Sequence, residues 1–361
     1  MSDPTSETIR QPQRLAILQH GGFTARFGKT GLSLLRYRGA EVVAVIDRET
    51  AGRSLREVSG MPGLPDIRVV ASVEEALASR PTALAIGISP SGGIVRAEWW
   101  PELRAAIRGG ASLWNGCHTP LISDPEIAAA VRPGVYVWDM RREPAGLRPG
   151  SSAARTLACK RVLFVGTDMN IGKMTAALEF DREAKARGVR SAFIGTGQTG
   201  MMICGSGMCL DAVRVDYASG AVEAELMRDG PGVDVLWVEG QGSMLNPAST
   251  ATLPLLRGTQ PTHLVLVHKA GMKHLHAFPH IAIPPLKDVA AFYETVTAAA
   301  GALPPARVVG IALNTWGLDE ATARAEIAAT AQATGLPTTD AVRFGTREIL
   351  EMILAKTGSR G

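Results

Sequence analysis

Residues 161–175 read RVLFVGTDMNIGKMT. The apolar run 162–165 predicts a buried strand, and it breaks at Gly166 into a loop that ends at Gly172-Lys173 and opens a helix over 172–187. A strand, a glycine-bounded loop and a helix start form an anion cradle. Successive N–H groups point inward, the helix N-terminus adds the positive end of its dipole, and Lys173 supplies a point charge for a phosphate oxygen. The candidate ligand-binding residues here are Gly166, Thr167, Asn170, Gly172, Lys173, Met174 and Thr175. The bland alternative is a tight strand–helix turn that holds nothing.

The loop departs twice from the usual phosphate-loop spacing GxxxxGK[ST]. Five residues separate Gly166 from Gly172 instead of four, and Met174 stands where a Ser or Thr hydroxyl would hold Mg²⁺. Thr175 lies one position on, about 100° further round the helix. Anion binding survives these changes better than nucleotide hydrolysis does.

Outward from this loop, short β-branched runs alternate with helical patterns. Strands are predicted over 15–19, 42–47, 83–88, 112–115 and 135–138, and again over 161–165, 190–194, 233–238, 263–267 and 307–313. Helices are predicted over 28–38, 172–187, 220–228, 287–299, 320–334 and 346–355. Asp124-Pro125 reads as a helix start, and Gly188 as the glycine that ends the helix after the loop. Strands alternating with helices predict parallel sheets covered on both faces. The fold class is α/β, with two parallel-sheet domains, the first Rossmann-like and the second resembling the P-loop NTPases. The boundaries are a disordered tail over 1–13, the first domain over 14–140, a Pro/Gly/Ser-rich linker over 141–160 and the second domain over 161–361. The linker's Arg141-Arg142 pair reads as a solvated face, with a phosphate contact as the alternative.

Composition narrows the function classes. The chain has 361 residues, 46% hydrophobic and 20% charged, which excludes a disordered or collagen-like chain. Aromatics are 5% and the net charge is +4, which fits small anionic ligands better than nucleic acid. Four cysteines make no disulfide framework, the polar start is unlike a signal peptide, and no long apolar run exists. A cytoplasmic protein without a membrane partner is expected, as a homo-oligomer.

Further candidates cluster at predicted strand ends, the edge where open α/β sheets hold ligands. Glu239 in VEGQGS ends a buried strand and is the first candidate for a general base, with Asp168 second. Gln198 sits in the glycine-rich segment 195–200, which otherwise reads as a flexible loop. Asn314 ends the strand over 307–313. HKAGMKHLHAFPH, residues 268–280, places His268, His274, His276 and His280 among Lys269 and Lys273. No carboxylate or cysteine completes a ligand set, so it reads as a mobile basic segment and no metal is expected. In the first domain no GxGxxG follows the first strand, so Asp47 alone is a weak dinucleotide signal. Arg26, Lys29 and Thr30 are candidates to grip a carboxylate, against the reading of a solvated helix start.

The loop GTDMNIGK resembles that of dethiobiotin synthetase and its relatives, which carry Thr where Met174 stands and use an Asn at the position of Asn314 to read adenine. VVAVIDRETAGR (42–53), IGISPSGG (86–93), VGTDMNIGKMT (165–175), VEGQGS (238–243), GIALNT (310–315) and TDAVRFG (339–345), strung in order over about residues 14–356, resemble the D-glutamate N-acetyltransferase family. Asn246 stands where that family often carries His. The resemblance implies transfer of the acetyl group of acetyl-CoA to the amino group of D-glutamate. Acetyl-CoA would then be the co-substrate, its phosphates on the loop, and Arg26, Lys29, Thr30 and Lys269 would be candidates for the acceptor's carboxylates. An ATP-dependent kinase or ligase of the dethiobiotin synthetase type is the alternative, with a nucleotide-responsive regulator as the non-enzymatic reading.

Overall fold

A computed structural model describes residues 6–24, 26–61 and 63–355. The chain divides into two compact units, Met1–Glu143 with Gly197–Ala212, and Pro144–Thr196 with Val213–Gly361.

The first unit is built on five strands: β1 (Leu15–Leu18), β2 (Val42–Ile46), β3 (Ala83–Ile86), β4 (Ser112–Asn115) and β5 (Val137–Asp139). They are all parallel, in the order β2-β1-β3-β4-β5. This is a doubly wound order whose direction of winding reverses between β1 and β3. Every residue of β1 is buried because both faces are covered. Ala16 and Leu18 face Trp99, Leu103 and Ile107, while Leu15 and Ile17 face a second core with Trp114 and Trp138.

Three readings are corrected in this unit. The tail is not loose throughout: Ser6–Arg10 is helical, and Ile9 is fully buried in the second core. Nor is 197–200 a flexible loop, since Gln198–Cys204 is a helix that buries Met201 and Met202 in the same core. The buried Arg38 guanidinium ties these pieces, donating to Met202 O at 3.0 Å and Ile9 O at 3.2 Å and lying over the Trp114 ring. The apolar contacts of these short segments form only in the folded unit, so no periodicity announced them. Arg141 is not a solvated face either: its Nε donates to Gly116 O at 2.7 Å and its Nη1 pairs with Asp211.

The second unit carries six parallel strands: β6 (Lys160–Gly166), β7 (Ser191–Ile194), β8 (Val235–Val238), β9 (His263–Lys269), β10 (Arg307–Asn314) and β11 (Thr338–Thr339). Their order is β11-β10-β9-β6-β8-β7, so β6 is central, flanked by β8 and β9. Phe164, Phe180 and Trp237 pack ring against ring beneath the helix Lys173–Ala186. That helix ends where Gly188 takes φ +74°, a left-handed conformation that costs glycine least. Within residues 144–160 the chain is docked on this unit. Ser151 N, Ser151 Oγ and Ala153 N all donate to the buried Glu223 carboxylate. The two-residue β11 and the helix Thr252–Thr259 escaped the sequence reading, the first for its length and the second for its internal Pro and Gly. Among the described residues no helix is long and apolar enough to cross a membrane.

Replacing Ile9 by Ala removes a fully buried side chain and is expected to cost about 2 kcal/mol or more. Thermal unfolding of the full chain would show it as a lower midpoint of the first transition, whereas a dangling tail would leave that midpoint unchanged.

Candidate functional site

β6 runs to Gly166, and the following loop returns at Gly172 to start the helix Lys173–Ala186. Two residues of this loop take left-handed backbone, Asn170 at φ +55° and Gly172 at φ +108°. The Lys173 side chain passes between two glycines. A Cβ on Gly166 would lie 3.1 Å from Lys173 Cδ, and one on Gly240 would lie 2.9 Å from it and 1.6 Å from Phe164 O. Only glycine at 240 lets the chain leaving β8 pass this close to β6. Lys173 Nζ donates to Asp168 O at 2.6 Å, which curls the lysine back into its own loop.

Asp168 is buried, and its carboxylate accepts three hydrogen bonds. They come from Met169 N at 2.7 Å, Asn246 Nδ2 at 2.7 Å and His276 N at 2.8 Å. One carboxylate thus ties together the phosphate loop, the segment after β8 and the segment after β9. Tyr293, fully buried on the helix Leu286–Ala298, donates to Gly166 O at 2.8 Å and accepts from Met244 N. Burial holds its phenol above the usual range. Thr167 is also fully buried, its hydroxyl 2.8 Å from His268 Nδ1. Burial pulls the His268 imidazole down to about 4, so it is neutral. His268 is therefore part of the rigid base of the loop and not of a mobile basic segment. His274, His276 and His280 are exposed, and among the described residues no group of His, Cys, Asp and Glu is arranged to hold a metal.

Glu239 lies at the carboxyl end of β8, buried, with Oε2 accepting from Thr196 N at 2.9 Å. Thr196 Oγ1 donates to Glu239 O, and Gln241 Nε2 donates to Thr196 O at 2.7 Å, which locks the ends of β7 and β8. Asn314 closes the other side. Its Nδ2 donates to Ile171 O at 3.0 Å and its Oδ1 accepts from Trp316 N at 3.0 Å. One amide proton and one lone pair remain for a ligand. Trp316 itself is 83% exposed. Met174 is buried, Thr175 half-buried and Lys269 exposed at the end of β9.

The remaining candidates belong to the first unit. Gln198 opens the helix Gln198–Cys204 there, with its Cγ where a Cβ on Gly116 would fall, so it does not share a unit with the phosphate loop as expected. Lys29 is exposed, while the buried Thr30 hydroxyl is 2.8 Å from Thr199 Oγ1 and 3.2 Å from Ser89 Oγ. The Arg26 side chain lies outside the described residues. Asp47 accepts from Gly21 N and Thr50 Oγ1, a loop anchor.

Two family models match the chain in tandem. Residues 48–143 match a Rossmann-like domain, DUF1611_N, and residues 148–350 match a P-loop domain, DUF1611_C, each described as a domain of unknown function. The chain belongs to the DUF1611 family. It is 55% identical to a DUF1611 family protein from Anabaena variabilis whose crystal structure superposes with a TM-score of 0.89, covering 95% of this chain and 99% of that one. A protein of Tritonibacter scottomollicae named D-glutamate N-acetyltransferase is 35% identical over 290 residues, 79% of this chain and 84% of that protein. A protein of the same name from a Pseudoalteromonas species is 31% identical over 267 residues, 73% and 79% of the two chains. The likeness to D-glutamate N-acetyltransferases read from the motifs is borne out, as are the two parallel-sheet domains.

Thr196, Asn246 and Tyr293 carry much of this DUF1611 site yet were not singled out as working residues. Tyr293 is one of only four tyrosines in the chain, and its place on a helix was visible, but not its reach to Gly166. A neutral buried His268 also has a pH signature. Its folded pKa lies below the unfolded value, so its stabilising contribution is complete above about pH 6.5 and is lost as pH falls towards 4. The loss is at most roughly 3.5 kcal/mol, at about 1.4 kcal/mol per unit. Thermal melts from pH 7.5 to 4.5 should therefore fall more steeply for the native chain than for His268→Asn, and parallel curves would refute the assignment.

Proposed function

We propose that this protein is an N-acetyltransferase that moves the acetyl group of acetyl-CoA to the amino group of an acidic amino acid, D-glutamate in first place. The observation that carries the reading is the buried Met174 beside Lys173 in an otherwise complete phosphate cradle. Such a cradle suits a ligand whose phosphates are gripped and left intact. Acetyl-CoA carries phosphates and an adenosine, and when bound it supplies an acetyl group activated as a thioester. The names of the two relatives support the same chemistry.

The residues divide the work as follows. The amides of the loop from Gly166 to Gly172, with Lys173, bind the phosphates. Asn314 offers its remaining donor and acceptor to the adenine edge, beside the exposed Trp316 indole. The acceptor's ammonium must lose a proton before its nitrogen can attack, and the Glu239 carboxylate takes it. The nitrogen–carbon bond then forms as the carbon–sulfur bond breaks, and the second proton lost by that nitrogen goes to the departing thiolate. Asp168 acts as a positioning residue, since its oxygens already receive three hydrogen bonds. Lys269, exposed at the end of β9, is the candidate in this unit to hold a carboxylate of the acceptor.

Thiol release from acetyl-CoA should require D-glutamate and proceed with Mg²⁺ chelated. Lys173→Ala is expected to raise the KM for acetyl-CoA by tenfold or more, and Glu239→Gln to lower kcat by about 10² or more, as for loss of a general base. Hydrolysis of ATP without thiol release would overturn the reading. Binding has its own signal, because Trp316 is strongly exposed while Trp99, Trp114 and Trp237 are fully buried. Acetyl-CoA should quench tryptophan emission in the native chain and much less in Trp316→Phe.

A further inference from the structure

The stretch TDAVRFG, residues 339–345, takes no part in the chemistry assigned above. It leaves β11, which pairs in parallel with β10, so its turn stands at the same carboxyl edge as Asn314. The buried Asp340 carboxylate ties this turn to the one after Asn314. Oδ2 accepts from Thr315 N at 3.0 Å and Thr315 Oγ1 at 2.5 Å, and Oδ1 accepts from Val342 N at 3.0 Å and Arg343 N at 3.2 Å.

Arg343 braces the same two turns with its side chain. Nη1 donates to Leu318 O at 3.0 Å and lies 3.3 Å from Thr315 Oγ1 and 3.5 Å from Thr315 O. The guanidinium carbon is 5.5 Å from the centre of the Phe344 ring. All of these hydrogen bonds use Nη1. Among the described residues Nε and Nη2 have no hydrogen-bond partner, and no carboxylate forms an ion pair with Arg343. The acids of the neighbouring turn are engaged elsewhere: Asp319 accepts from Thr322 N and Oγ1, and Glu320 pairs with Arg324. An exposed guanidinium is thus fixed through one nitrogen, and its Nε and Nη2 form a side-on fork that matches two oxygens of a phosphate.

The fork stands close to the proposed adenosine subsite. A Cβ on Gly172 would come 3.4 Å from Asn314 Nδ2, so Asn314 touches the end of the phosphate loop, and Thr315, the next residue, touches Arg343. The exposed Trp316 and Val342 side chains belong to the same two turns. We infer that Arg343 receives a phosphate monoester on the ribose of the bound adenosine, which in coenzyme A is the 3′-phosphate. The inference rests on the acetyl-CoA reading and deepens it at the adenosine end. The loop and Lys173 grip the phosphates that coenzyme A shares with ATP, so they do not separate the two. ATP carries no phosphate on its ribose hydroxyls and would leave the fork unfilled. Arg343 therefore determines which adenine nucleotide the site prefers.

The test is calorimetric titration of the full chain with coenzyme A and with 3′-dephospho-coenzyme A, which differ only in that phosphate. The native chain is expected to bind coenzyme A about tenfold or more tighter, with the gap narrowing as salt is raised. Arg343→Ala should lose most of this advantage while binding the dephospho form within about twofold of the native chain, which also shows that its turns are intact. Arg343→Lys, which keeps the charge without the fork, should fall between the two. Equal affinity of the native chain for both ligands would overturn the inference. So would an Arg343→Ala variant that weakens both alike, because the arginine would then only brace the turns. If neither ligand binds the native chain, the acetyl-CoA reading itself fails and takes this inference with it, a result distinct from the other two.

Discussion

The Asp168 carboxylate is the constraint on which the candidate site depends. It is buried, so it must find hydrogen bonds from within the chain, and it finds them on three separate segments. Those bonds set the distance between the phosphate loop, the turn at Asn246 and the turn at His276. An alanine here would leave the buried Asn246 amide without its acceptor, at a cost of about 1–3 kcal/mol, and would release the Met169 and His276 N–H groups. Acidic residues inside an anion cradle are otherwise unfavourable, since they repel the ligand. The conflict is resolved by direction: the carboxylate points toward the flanking segments, while its backbone carbonyl draws Lys173 Nζ into the loop.

Lys173 in turn runs between two glycines far apart in the sequence. Gly166 ends β6 and Gly240 follows β8, and the lysine stem lies where a side chain on either would stand. In the sequence these appear as unrelated glycines more than seventy residues apart. In the structure they are two walls of one channel for a methylene chain, which guides the ammonium to the loop. Met174 completes the pattern. An apolar side chain stands at the position where a phosphate loop usually carries a hydroxyl, and it is buried.

The sheets, their parallel sense and the phosphate loop were legible because each leaves a local signature: β-branched runs bounded by glycine, and Gly172-Lys173 at a strand–helix junction. Ser112–Asn115 and Glu320–Thr334 were bounded correctly for that reason. What the chain did not disclose is long-range. Ile9 is an isolated apolar residue in a polar tail, and only the second core of the first unit makes it buried. The segment from Gly197 to Ala212 follows directly on β7 yet folds with the first unit, and no composition shift marks either crossing. His268 looked like a member of a basic cluster because three other histidines follow it. Its strand position, one residue before the exposed Lys269, puts it on the buried face.

The network around the loop also bears on how tightly a ligand can be held. Gly166 O is fixed by Tyr293, Thr167 by His268, Ile171 O by Asn314 and Met169 N by Asp168, so the loop backbone is braced at four points by groups of the same chain. A cradle ordered in advance does not lose that conformational freedom on binding, and its dipoles need no reorganisation when charge arrives. A flexible glycine loop would forfeit both advantages, at about 1–2 kcal/mol for each residue it had to order. The unusual length of the loop then has a physical meaning. The longer loop takes left-handed backbone at Asn170, and residues on β9, β10 and the helix Leu286–Ala298 hold it on both sides of that turn.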